Sequence, residues 1–190
     1  MTDKFNVESL TKILEGRILY LVGMMGSGKT LTGPYLAKSL NYRFIDQDIL
    51  IEQVAKKTIS EIFGQEGEEE FRDIETQVLK EIGAHHSLVV ATGGGVVMRP
   101  ENWGILHQGI VIWINPSREC LAARLQSDRN HHRPLLDKNN LLSTLENLSK
   151  ERYPLYREAD LQIIVDKETP EEVALEACKQ LSSILIDQVD

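Results

Sequence analysis

The chain predicts a three-layer α/β domain with a mostly parallel sheet, on three observations. Short, continuously apolar runs such as "RILYLVG", "SLVVAT" and "GIVIWI" recur along it, of the kind a strand carries when both of its faces are covered. Stretches with helical spacing separate these runs throughout. The last stretch opens on Thr169 as cap, Pro170 in the first turn and Glu172 three residues after the cap, an unambiguous helix start.

In chain order, residues 1–16 read as a short extra helix with Val7, Leu10, Ile13 and Leu14 on one side, ended by Gly16. "RILYLVG" (17–23) is the first strand, and a helix begins in the glycine-rich segment behind it and runs to about Leu40. "YRFI" is the second strand, followed by short helices over 49–56 and 59–63 and a longer one over 65–83. "SLVVAT" (87–92) and "GIVIWI" (109–114) are the third and fourth strands. Asn115 and Pro116 are read as opening a helix to about Asp128, since proline in a first turn forfeits no hydrogen bond. Residues 129–140, "RNHHRPLLDKNN", have a basic head, a proline and no clean period, and are expected to be a mobile surface segment. A helix over 141–156 and the strand "LQIIV" (161–165) precede the last helix, whose Val173, Ala177, Leu181 and Ile184 supply a core face.

The bulk composition narrows the function. A length of 190 residues fits one domain with a real core. A net charge of -8 argues against a nucleic-acid or anionic-membrane surface as the main function, and leaves small anionic ligands open. No stretch approaches the ~20 apolar residues of a membrane span, and the polar start "MTDKFNVES" lacks the pattern of a secretory signal, so a cytoplasmic protein is expected. Cys120 and Cys178 have no metal or redox spacing and are expected to be buried free thiols.

"GMMGSGKT" (23–30) fits the G-x-x-x-x-G-K-[ST] phosphate-binding pattern, between an apolar strand and a helix as the pattern requires. Gly23, Gly26 and Gly28 let backbone N–H groups point inward around a triphosphate. Lys29 can reach the β- and γ-phosphates, and Thr30 can put its hydroxyl on Mg²⁺. The motif alone does not separate a kinase from a GTPase or a motor ATPase. The absence of an N/T-K-x-D sequence disfavours a guanine-nucleotide switch, and a small-molecule kinase then needs groups to hold a second substrate.

Three features meet that need. Asp46 and Asp48 end the second strand, near the phosphates: one can order a Mg²⁺ shell and the other accept from an alcohol, while helix capping by either is the plainer alternative. In "EFRDIE" (70–75), Arg72 and Glu75 are spaced to meet near an apolar seam, giving a preorganised fork for a carboxylate or phosphate; surface pairing of Arg72 with Glu68 is the alternative. "ATGGGVV" (91–97) puts three glycines after the third strand, where a close backbone approach or a plain turn would account for them. Arg124, Arg129, Arg133, Arg152 and Arg157 are the remaining cationic donors; Arg133 is placed to close over ATP, and Arg152 to reach the substrate or merely to end a helix.

Together, "GMMGSGKTLTG" (23–33), "FIDQD" (44–48), "FR" with Glu75, "GGG" (93–95), "RPLL" (133–136) and "ERYPLY" (151–156) resemble the shikimate kinase family over about residues 16–180. The resemblance implies a nucleoside monophosphate kinase-like P-loop fold with a five-stranded parallel sheet in order 2-3-1-4-5 and a lid over about 128–140. It implies transfer of the γ-phosphoryl group of ATP to the 3-hydroxyl of shikimate. By family role, Asp48, Arg72, Gly94, Gly95 and Arg152 look like the shikimate contacts, within a substrate-binding helical region over 59–83. Lys29, Asp48 and Arg133 look like the catalytic groups, and Gly26, Ser27, Gly28, Lys29, Thr30, Arg124 and Arg133 like the nucleotide side. Thr30 would ligate Mg²⁺, with Asp46 acting through water, and a monomer is expected. Pro34 stands where the family usually has a basic residue, and "VDKETPEE" (165–172) only loosely matches the adenine-side stretch.

Overall fold

A computed structural model describes residues 7–127 and 140–186. Strands β1 (Leu19–Val22), β2 (Arg43–Asp46), β3 (Leu88–Ala91), β4 (Ile110–Pro116) and β5 (Leu161–Val165) form one sheet in the order β2-β3-β1-β4-β5, and every neighbouring pair is parallel. Parallel neighbours need crossovers, and helices supply them: α2 (Lys29–Leu40) follows β1, and α3 (Gln47–Ala55), α4 (Ile59–Gln65) and α5 (Glu68–Gly83) follow β2. The remaining helices are α1 (Val7–Leu14), α6 (Pro100–Leu106), α7 (Arg118–Ser127), α8 (Leu141–Tyr156) and α9 (Pro170–Ile186).

Alternation along the strands divides the core in two. Tyr20, Val22, Val90 and Trp113 point into a layer with Phe71, Leu79, Leu121 and Tyr156, while Leu19, Leu21, Ile112 and Ile114 point into the opposite layer with Leu10, Leu36, Ala177 and Leu181. Both layers are apolar, so the central strands read as unbroken apolar runs. β5 differs: Gln162 and Ile164 are exposed, as suits an edge strand with one covered face.

Several details correct the expectations. Pro116 does not open a helix; it is the last residue of β4, paired with Val165, where a missing N–H costs little. The following helix is opened instead by Ser117, whose hydroxyl accepts from Cys120 N at 3.2 Å. Helix α6 is absent from the sequence reading, because "PENWGIL" is short and buries only Asn102 and Leu106, although Pro100 at its first turn is a start signal. Ile184 is exposed, and Leu185 fills the core position beside Leu181. Cys178 is buried as expected, but Cys120 is only half-buried, its thiol near Asp166 O. Thr169 and Glu172 do form their reciprocal cap, with Glu172 N on Thr169 Oγ1 at 3.3 Å and Thr169 N on Glu172 Oε2 at 2.8 Å.

Candidate active site

The carboxyl ends of β1, β2 and β3 bring three loops together. The phosphate loop turns between β1 and α2 through Gly23, Gly26 and Gly28, all at positive φ. At Gly23 a Cβ would stand 2.4 Å from Ile114 O, so this turn admits no side chain. The Lys29 ammonium lies along the loop, donating to Gly23 O at 2.8 Å, Met24 O at 3.0 Å and Ser27 Oγ at 3.3 Å. Arg124 reaches across from α7 and donates to Ser27 O at 3.0 Å, which sets a second cation against the loop.

Asp46, at the end of β2, serves two ends. Its Oδ1 caps α3 by accepting from Asp48 N at 3.0 Å, and its Oδ2 accepts from Thr30 Oγ1 at 2.7 Å. Capping and a place beside the phosphate loop are therefore both true of this residue. Asp48 sits in the first turn of α3, where the helix dipole favours its charge.

On the other side, Arg72 of α5 donates to Glu75 Oε2 at 2.7 Å and to Glu68 Oε1 at 3.0 Å, while its guanidinium stands 5.1 Å from the centre of the Phe71 ring. Both pairings considered from spacing thus coexist. Burial opposes the Arg72 charge, but Glu75 and Glu68 outweigh it and hold its pKa above the ordinary value. Glu75 is fully buried, and burial pushes its carboxyl up, with Arg72 pulling the other way. Arg152, 3% exposed on α8, donates to Gly94 O at 3.2 Å, so it does more than end a helix. A Cβ on Gly95 would stand 2.4 Å from Arg72 Nη1 and Nη2, and one on Gly93 would stand 2.4 Å from Glu75 Oε1 and 3.0 Å from Asp48 Oδ1. The triple glycine is the floor on which these side chains converge. A cleft of about 280 Å³ lies beside the two arginines, lined in part by Arg72, Arg152, Glu68, Met98 and Leu148.

The family model for shikimate kinase matches residues 25–182. A shikimate kinase of Prochlorococcus marinus is 62% identical over 190 residues, covering 100% of both chains. The chain belongs to the shikimate kinase family. A shikimate kinase from Acinetobacter baumannii, solved in complex with shikimate, overlays with a TM-score of 0.86 at 38% identity, over 92% of this chain and 97% of that one. A gluconokinase from Sinorhizobium meliloti 1021 overlays with a TM-score of 0.58 at 18% identity, over 92% of this chain and 96% of that one, a likeness of fold alone.

In this shikimate kinase, an ATP-dependent transferase of aromatic amino acid biosynthesis, Lys29, Thr30, Asp46, Asp48, Arg72, Gly94, Gly95, Arg124 and Arg152 all fall around the three loops. Arg133 and residues 128–139 of the expected lid lie outside the described residues. Three contributors escape the sequence reading. Gln47 donates to Glu75 O at 3.0 Å and accepts from Gly93 N at 3.3 Å, Tyr156 donates to Gly94 O, and Arg99 ties the loop after the glycines to Asp73 at 2.6 Å. Gln47 has a signal, since it sits between the two carboxylates of "FIDQD"; the other two depend on where α8 and α6 pack.

Proposed function

We propose that this shikimate kinase divides the transfer of the ATP γ-phosphoryl group to the 3-hydroxyl of shikimate among the residues just described. The observation that carries the assignment is the convergence of Arg72, Arg152 and Asp48 on the 93–95 loop, next to the phosphate loop. Two guanidinium groups suit the one carboxylate of the acid, and Asp48 suits its hydroxyls. That the Acinetobacter baumannii relative was solved in complex with shikimate supports shikimate as the acid.

Asp48 orients the attacking hydroxyl and takes its proton as the new oxygen–phosphorus bond forms. The bond from the γ-phosphorus to the bridging oxygen breaks, and ADP leaves with the electron pair. Gly26, Ser27 and Gly28 cradle the phosphates, Lys29 neutralises the charge that develops on them, and Arg124 braces the loop from the nucleotide side. Arg133 is assigned a second cationic role at the γ-phosphate from the resemblance alone. The Thr30 hydroxyl and the Asp46 carboxylate, 2.7 Å apart, form an oxygen-only pair beside the phosphate loop that fits a hard divalent cation. Thr30 would hold Mg²⁺ directly and Asp46 through water, and the ion would supply positive charge against the phosphates. A monomer is proposed as the working unit.

The test is ADP release from ATP and Mg²⁺ with shikimate, gluconate, a nucleoside monophosphate or no acceptor. Release is expected with shikimate only; equal release with every acceptor, or with none, would refute the reading.

A further inference from the structure

We infer that Gln47 is a positioning residue of the acid-substrate pocket: its amide sets how far Asp48 stands from Arg72 and from the glycine loop. Gln47 is 0% exposed, and burying an amide is costly unless both of its ends are satisfied. They are, by groups from two other segments. Nε2 donates to Glu75 O at 3.0 Å, 28 residues along the chain, and Oε1 accepts from Gly93 N at 3.3 Å, 46 residues along. A carbonyl only accepts and a backbone N–H only donates, so the amide has a single orientation. It bridges the two segments in that orientation.

The place of Gln47 in α3 gives this bridge its consequence. Asp46 before it is tied to Thr30, and Asp48 after it stands in the first turn of the same helix. Glu75, whose carbonyl it holds, is the residue that fixes Arg72. Gly93, whose N–H it holds, lies beneath Asp48 and Glu75, within 3.0 Å of both carboxylates as measured from the position of an added Cβ. One side chain therefore references the proposed hydroxyl acceptor, the carboxylate fork and the pocket floor to each other. An apolar residue of the same length would fill the space and fix none of these separations. A misplacement of about 1 Å can cost a factor of about a hundred in rate.

The inference rests on the pocket reading given above, and the experiment separates the two. Gln47→Met keeps length and removes both bonds. Its kcat/KM for shikimate is expected to fall about ten- to hundredfold, with the KM for ATP within about twofold of wild type, because no phosphate-loop group bonds the amide. Gln47→Asn, which keeps the amide but withdraws it by one methylene, carries the same expectation if Gln47→Met does not fold. Binding of ADP with wild-type affinity establishes that a variant is folded. A folded variant that retains kcat/KM for shikimate, or whose KM for ATP rises as much as its kcat/KM for shikimate falls, overturns the inference. A wild-type enzyme without shikimate-dependent ADP release would instead overturn the pocket reading beneath it.

Discussion

One carboxylate oxygen of Asp46 caps a helix while the other meets Thr30, so a local role and a site role need not compete for a residue. Lys29 is the sharper case. Three oxygens of its own loop hold its ammonium, at 2.8, 3.0 and 3.3 Å, in a residue only 7% exposed. Such a group contributes most where phosphate charge develops, not in ground-state binding of the acid. Lys29→Met is therefore expected to lower kcat by about two to three orders of magnitude, with the KM for shikimate changed little. Steady-state kinetics check this, and near-normal turnover would sink the assigned role. The cysteines give a second residue-level outcome. Burial pushes the Cys178 thiol up to about 11, so at pH 8 its reactive thiolate is scarce, whereas Cys120 is half-exposed. A disulfide-exchange reagent should titrate one thiol in the native enzyme and two after denaturation; two fast thiols in the native state would contradict the packing of α9.

At the scale of elements, the loop after β3 explains why three glycines stand together. Gly95 faces the Arg72 guanidinium, the far end of a flexible side chain, and yet Glu75 and Glu68 hold that end in place. Gly95→Ala should accordingly leave the fold intact and displace Arg72, raising the KM for shikimate about tenfold or more with a small change in Tm. A loss of Tm with unchanged KM would mean that the loop, not the arginine, gives way. The loop also marks what sequence could reveal. "GGG", "FIDQD" and "FR" were legible because each needs unusual residues at a strand end or at short spacing along one helix. Arg152 was also legible, as a cation able to reach the substrate, but its bond to Gly94 O was not, nor were those of Tyr156 to Gly94 O and of Gly93 N to Gln47, because these groups meet only after long crossovers. Pro116 misled for a related reason: whether a proline ends a strand or starts a helix is decided by β5, which pairs with it some fifty residues later.

At the scale of the molecule, the strand order β2-β3-β1-β4-β5 divides the site between its elements. β1, at the centre, delivers the phosphate loop, which Arg124 braces from α7. β2 and β3 deliver Asp48 and the glycine loop, and α5 and α8 bring the two arginines over them. Nucleotide and acid should thus stabilise the fold through largely separate contacts. A ligand at a hundred times its Kd adds about 2.7 kcal/mol, which for a domain of this size raises Tm by about 5–10 °C. Arg152→Ala removes one of the two guanidinium groups of the proposed acid pocket, and the bond it loses ends on Gly94 O of the glycine loop, not on the phosphate loop. In thermal unfolding, the rise given by shikimate should be largely lost in this variant, while the rise given by ADP and Mg²⁺ stays within about 1 °C of wild type. The baseline Tm will itself fall, so each ligand-induced rise is the quantity to compare. If both rises vanish together, the two halves of the site are one cooperative unit, and the division drawn from the sheet order is wrong.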